Sequence, residues 1–230
     1  MGIKNYYIID FDSTFVKKEG LEVLAEVVLV KHRKKTLILD QINKITAAGM
    51  EGKITFNQSL NTRLKLLRAN RQHVQKAAQI LGNQITNSIN RNQKFFLEHK
   101  KQIYIVSGGF KDFVAPVVKK FGIPKNHILA NDFVFDKNDW ITGVDKNNPL
   151  SQTAGKAKAV ARLRLHPGGV IWAVGDGYTD YEIKQKGVAD YFVAFTENVR
   201  RENVVKKADW EVNDFNHLLS KLKKLKNFKF

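Results

Sequence analysis

At 230 residues, with 43% hydrophobic side chains and no long polar tract, the chain is large enough to bury a core and too apolar to stay disordered. It has no cysteine, which excludes disulfides and thiolate metal sites. Lys and Arg number 39 against 22 Asp and Glu, and the formal net charge of +17 favours anionic partners without naming one. The positive residues run along the whole chain, with only the C-terminus dense in lysine. No zinc-finger or RNA-binding signature accompanies them, so a nucleic-acid partner is not expected. No apolar run approaches a membrane span and no apolar leader with a cleavage site opens the chain. A cytoplasmic protein without a membrane partner is the expectation.

In chain order, Tyr6, Tyr7, Ile8 and Ile9 read as a buried strand that runs into Asp10-Phe11-Asp12-Ser13-Thr14. Two carboxylates one residue apart repel unless a cation or a shared proton compensates them. On a strand, i and i+2 face the same side, so Asp10 and Asp12 can serve one site at the carboxyl end of a sheet, where ligands bind in open α/β folds. A carboxylate there can also act as a nucleophile. Leu21, Leu24, Ala25, Val28 and Leu29 then recur at helical spacing. Leu37, Ile38, Ile42 and Ile45 predict a second helix that ends before Gly49. Thr55 and Gln58 form a capping box ahead of Phe56, Leu60, Leu64 and Leu67, and Val74, Ala77, Ala78 and Leu81 make a fourth helix stopped by Gly82. Four helices in series, without a strand between them, read as a small bundle inserted over 16–84.

Ile85, Ile89, Phe95 and Phe96 predict one helix leading to the strand Ile103–Val106. That strand ends in Ser107-Gly108-Gly109-Phe110, and a small-residue turn before a helix starting at Lys111 makes an anion site. Phe133–Phe135 and Trp140–Thr142 read as a β-hairpin, a satellite without chemistry of its own. Gly155-Lys156 opens a further helix. Val170–Val174 is a core strand that ends in Gly175-Asp176-Gly177-Tyr178-Thr179-Asp180, so two more acids follow a strand end between glycines. Tyr191–Phe195 and Trp210–Val212 complete the strands, and their alternation with helices argues an α/β protein with a parallel sheet. The last run sets Leu218, Leu219, Leu222 and Leu225 among Lys221, Lys223, Lys224 and Lys226; it reads as a helix covering the sheet, with a solvated outer face.

DFDST at Asp10–Thr14, SGG at Ser107–Gly109, Lys156 and GDGYTD at Gly175–Asp180 stand in the order of the four motifs of the haloacid dehalogenase superfamily. The chain resembles a phosphatase of that superfamily and, within it, the phosphoserine phosphatases. The resemblance implies a Rossmann-like core of residues 1–15 and 85–230, with a hairpin near 131–148 and a helical cap at 16–84. It implies Mg²⁺-dependent hydrolysis of a phosphomonoester through an aspartyl-phosphate on Asp10, with Asp12 as general acid and then base. Mg²⁺ would be held by Asp10, the Asp12 carbonyl and Asp176, with Asp180 behind them. Ser107, Gly108, Gly109 and Lys156 would hold the phosphoryl oxygens.

The same resemblance makes Glu19, Met50, Phe56, Arg63 and Thr179 substrate contacts. The chemistry of Glu19 and Arg63 agrees with that: an acid can pair with the ammonium of phosphoserine and a guanidinium can grip its carboxylate bidentately. Asn is common in the family where Thr179 stands, and Thr keeps one hydroxyl for the contact. The expected partner is a small phosphorylated metabolite, phosphoserine foremost, and the protein a monomer or homodimer. Alternatives are another small phosphoester, phosphotransfer to an alcohol, or, from a different class, a non-catalytic phosphate- or nucleic-acid-binding module.

Overall fold

A computed structural model of the chain describes residues 4–165 and 168–225; Lys226 of the C-terminal run lies outside them. At its centre is β1 (Asn5–Ile9), buried at every position. β2 (Ile103–Phe110) lies on one side of it and β6 (Val170–Gly175) on the other, both parallel. β3 (Ile128–Asn131) extends the sheet beyond β2, and β7 (Tyr191–Phe195) and β8 (Trp210–Val212) extend it beyond β6. The result is a six-stranded parallel sheet of order β3-β2-β1-β6-β7-β8, the α/β architecture expected. Because the order reverses about β1, the crevice at the carboxyl ends of the central strands falls where Asp10 emerges.

Both faces of the sheet are covered, as parallel sheets require. Tyr7, Ile9, Ile105, Trp172, Val174, Val193 and Phe195 point into the larger core, while Ile8, Val106, Ala173, Phe192 and Ala194 point into a second one. Strand alternation therefore divides each strand between two cores. α8 (Gly155–Ala161), α9 (Tyr178–Gln185) and α10 (Glu202–Val205) supply Val160, Ile183 and Val204 to the second core. α11 (Phe215–Lys223) caps itself on Asp214 and buries Phe215, Leu218 and Leu222 in the first. No helix among the described residues is long and apolar enough to cross a membrane.

Between β1 and β2 lie α1 (Gly20–Val28), α2 (Lys35–Met50), α3 (Phe56–Leu66) and α4 (Arg71–Gly82). α3 starts on the capping box: the Gln58 N–H donates to Thr55 Oγ1 at 3.2 Å and the Thr55 N–H to Gln58 Oε1 at 3.0 Å. α2 does not stop before Gly49 but runs through it to Met50. A Cβ on Gly49 would sit 2.9 Å from Ser59 Oγ, so this glycine serves the close approach of α2 to α3 rather than a helix end. The chain reverses afterwards, at Gly52 with φ +76°.

Three further expectations change. The stretch after 85 is not one helix. Ile85 pairs with Val16 as an isolated bridge, and α5 (Asn87–Arg91) and α6 (Gln93–His99) are broken at Asn92. Ser107–Phe110 is not a turn but the end of β2, shifted in register against β3, and Asn131 Nδ2 donates to the Gly108 carbonyl at 2.8 Å. α7 (Lys111–Val118) then begins at once. Finally, β4 (Phe133–Phe135) and β5 (Ile141–Val144) form the antiparallel hairpin, but it is no satellite. Trp140 pairs with Asn70, Arg71 reaches Asp139 at 2.9 Å, and the Ile141 N–H donates to the Ala69 carbonyl at 2.9 Å. The hairpin thus grips the α3–α4 connection.

Candidate active site

β1 ends at Ile9, and Asp10 continues extended with its N–H on the Val174 carbonyl at 2.9 Å. The chain then makes a wide turn over Phe11–Phe15, closed by the Val16 N–H on the Phe11 carbonyl at 3.0 Å. Ser13 takes a left-handed φ of +56° inside it. Asp10 and Asp12 therefore meet by way of this turn, not by strand alternation. Phe11 and Phe15 lie fully buried, with Phe15 edge-on to Phe96 and Phe121, so apolar anchors hold the turn from below.

Lys156, at the start of α8, reaches Asp10 Oδ1 at 2.6 Å and Asp180 Oδ1 at 2.7 Å. Burial alone pushes its ammonium down, but Asp10 and Asp180 outweigh that and hold it above its ordinary range. Asp180 Oδ2 also accepts the Gly177 N–H at 3.1 Å. Asp176 accepts from the Thr14 hydroxyl at 2.9 Å and pairs with Arg201. Burial raises the Asp176 carboxyl to about 7 against the pull of Arg201, and burial with the Asp10 charge raises Asp180 to about 8. Asp12 Oδ1 accepts the Gly20 N–H at 2.6 Å, and its Oδ2 accepts from Ser107 at 3.3 Å. Burial, followed by the charges of Glu19 and Asp10, holds the Asp12 carboxyl well above the usual carboxylate range.

Oxygens of Asp10, Asp176 and Asp180 lie within 4.8 Å of one another, a grouping able to hold a metal ion. Five buried acids (Asp10, Asp12, Glu19, Asp176, Asp180) face three cations (Arg63, Lys156, Arg201) here. Hard oxygen donors with an excess of negative charge fit a small divalent cation such as Mg²⁺. The Asp12 carboxylate stands outside that trio, engaged by Gly20 and Ser107.

Above the acids is a small cavity lined by Asp10, Asp12, Glu19, Met50, Phe56, Arg63, Gly108, Gly109, Lys156 and Thr179, and also by Leu21. Glu19, just before α1, accepts the Ser13 hydroxyl at 2.7 Å. Arg63 donates to the Ser59 carbonyl and to Thr46 Oγ1, each at 3.3 Å. Burial lowers its guanidinium, opposed by Glu19, Asp12 and Glu22. A Cβ on Gly108 would fall 2.6 Å from the Phe56 ring, so the bare backbone there is what lets Phe56 wall the cavity. Ser107 is placed behind this wall, under Asp12, donating to it and accepting the Gly109 N–H at 2.8 Å.

Sequence reasoning missed Leu21, Thr14, Thr86, Asn198 and Arg201. Thr14 lay inside a motif already singled out. Thr86, which donates to the Thr14 carbonyl, Asn198, which donates to the Ser13 carbonyl, and Arg201 carry no local signal, since they reach the site only through the tertiary fold.

The sequence profile of the haloacid dehalogenase-like hydrolase family matches residues 8–183. The chain belongs to this family. Among its relatives, the phosphoserine phosphatase of Drosophila melanogaster is 34% identical over 216 residues, covering 91% of this chain and 75% of that protein. In structure, a phosphoserine phosphohydrolase-like protein from Francisella tularensis subsp. tularensis SCHU S4 superposes with a TM-score of 0.85 at 30% identity, covering 95% of this chain and 99% of that one. A phosphoserine phosphatase captured as a phospho-aspartyl intermediate analogue superposes with a TM-score of 0.77 at 27% identity, covering 95% and 99%. As a haloacid dehalogenase-like hydrolase with these relatives, the chain is a phosphoric monoester hydrolase.

Proposed function

We propose that this hydrolase acts on O-phospho-L-serine through a phosphoryl group carried on Asp10, with α1–α4 (residues 16–84) as a cap over the cavity. The observation that carries this reading is the burial of Glu19 and Arg63 in the same cavity as Asp10. Phosphate alone asks for neither. An ammonium gives the Glu19 carboxylate a partner, and a carboxylate gives the Arg63 guanidinium one.

Asp10 attacks phosphorus, forming the Asp10–phosphorus bond as the bond to the serine oxygen breaks. Asp12 gives that oxygen its proton, since an alkoxide is a poor leaving group. Asp12 then takes a proton from water, whose oxygen attacks phosphorus and frees phosphate and Asp10. Lys156 neutralises and the Gly108 backbone N–H orients the phosphoryl oxygens, which is most of what phosphoryl transfer requires. Asp10, Asp176 and the Asp12 carbonyl would hold Mg²⁺, with Asp180 fixing Lys156. When bound, the ion adds charge neutralisation at the phosphoryl group. The phospho-aspartyl relative supports the choice of Asp10.

The test compares phosphate release from phosphoserine, phosphoethanolamine, which lacks the carboxylate, and phosphoglycolate, which lacks the ammonium. Phosphoserine should lead, and Asp10→Asn should abolish turnover of all three. Arg63→Ala should level phosphoserine with phosphoethanolamine, chiefly through KM. A wild type that does not discriminate among them would sink the assignment of Glu19 and Arg63 while leaving the phosphatase chemistry.

A further inference from the structure

The loop between α1 and α2 and the first residue of α2 hold Lys31, His32, Arg33, Lys34 and Lys35 in succession, so positive charge is concentrated here as well as at the C-terminus. Lys31 to Lys34 are exposed and Lys35 half-buried. Among the described residues none of these lysines or Arg33 joins an ion pair. On either side stand Val30, 64% exposed, and Leu37, 55% exposed, the two most exposed large apolar side chains among the described residues. The loop is ordered: the His32 N–H donates to the Leu29 carbonyl at 3.0 Å, and the Lys34 N–H donates to His32 Nδ1 at 3.1 Å. α2 starts on Lys34 without a side-chain cap and has no acid in its first turn, so cations sit at the end of the helix where they cost stability. Apolar exposure and like charges, both unfavourable for the isolated fold, share one short segment, 30–37.

We propose that this loop docks on an anionic phospholipid bilayer, with Lys31, Arg33, Lys34 and Lys35 against the headgroups and Val30 and Leu37 entering the acyl boundary. Cations near such a surface each add to the attraction, and the apolar side chains flanking them supply the part that salt does not screen. A nucleic acid fits less well. Residues 29–38 contain no Phe, Tyr or Trp, the broad rings that serve as base-stacking platforms, and exposed Val and Leu have no use on a phosphodiester backbone. The lack of a membrane-length apolar run led to the expectation of no membrane partner, but a peripheral contact needs no span. Glu19 and Leu21 lie at the opposite end of α1, and Met50 closes α2, which at 16 residues is about 24 Å long. Docking therefore leaves the catalytic cavity uncovered.

The experiment is co-sedimentation of the full chain with vesicles of phosphatidylcholine, with and without about 30 mol% of anionic phosphatidylserine. Binding should require phosphatidylserine and weaken in high salt. Replacing Lys31→Gln, Arg33→Gln and Lys34→Gln together should lower partitioning at least tenfold, and Val30→Ser with Leu37→Ser should lower it severalfold. Both variants should keep wild-type turnover of a soluble phosphoester, which certifies their folding. Equal binding to neutral vesicles, no binding at low salt, or wild-type partitioning by both variants would overturn the proposal. So would single-stranded RNA that displaces the protein from vesicles through the same residues.

Discussion

Asn198 Nδ2 donates to the Thr86 hydroxyl at 2.7 Å, and Thr86 in turn donates to the Thr14 carbonyl at 2.6 Å. Asn198 also reaches the carbonyl of the left-handed Ser13 at 3.1 Å. One side chain from the loop after β7 thus holds two carbonyls of the turn that presents Asp10 and Asp12.

Asn198→Ala should therefore slow the reaction more than it unfolds the protein. A lost hydrogen bond costs about 1 kcal/mol of stability, whereas a nucleophile displaced by about 1 Å can lose about 10²-fold in rate. We expect kcat to fall at least tenfold, with KM nearly unchanged and a small drop in Tm. Thr86→Val should act in the same direction. If kcat holds while Tm falls, the network is structural only.

Asp12→Asn keeps one acceptor oxygen, which the Gly20 N–H can still use, turns the position facing Ser107 from acceptor to NH₂ donor, and removes the acidic proton. Under the proposed roles kcat should drop by about 10²–10⁴-fold, the usual share of general acid–base catalysis. Divalent-ion affinity, read by calorimetry with Mg²⁺, should stay near wild type because the side chain lies outside the Asp10–Asp176–Asp180 trio. A large loss of Mg²⁺ affinity would make the Asp12 carboxylate a ligand instead.

The strands, the capping box and the small-residue motifs were legible because each depends on neighbours a few residues away. Thr55 needs only Gln58, and Tyr7 and Ile9 need only alternate. What the sequence hid depends on contacts across the fold. Gly49 reads as a helix stop, but its meaning comes from Ser59 on the next helix. Ser107–Phe110 reads as a turn because glycines usually turn, yet it continues β2 across a register shift, and the Asn131 side chain takes the Gly108 carbonyl. Arg201 could not be tied to Asp176 without the loop that brings it there.

Two glycines should respond differently to alanine. A Cβ at Gly155 would meet the Pro149 carbonyl oxygen at 2.4 Å, and backbone cannot step aside. Gly155→Ala should lower Tm and soluble yield. At Gly108 the obstacle is the Phe56 ring at 2.6 Å, which can move but walls the cavity. Gly108→Ala should fold and raise KM severalfold. Equal Tm losses for both would contradict this division.

Glu22 gives the pH dependence. Burial, helped by Glu19 and opposed by Arg63 and Thr46, raises its carboxyl from 4.5 to about 7. Between those values the folded protein holds a proton that the unfolded chain has lost, so this group's contribution to stability falls as pH rises through the window. Above it both states are ionised and the penalty is complete. Glu22→Gln cannot ionise, so its Tm minus that of wild type should increase from pH 5 to pH 8, by about 2–4 °C for each kcal/mol in a chain of this size. Taking the difference between the two proteins at each pH cancels groups that titrate alike in both. A difference independent of pH would show that Glu22 titrates normally in the folded protein.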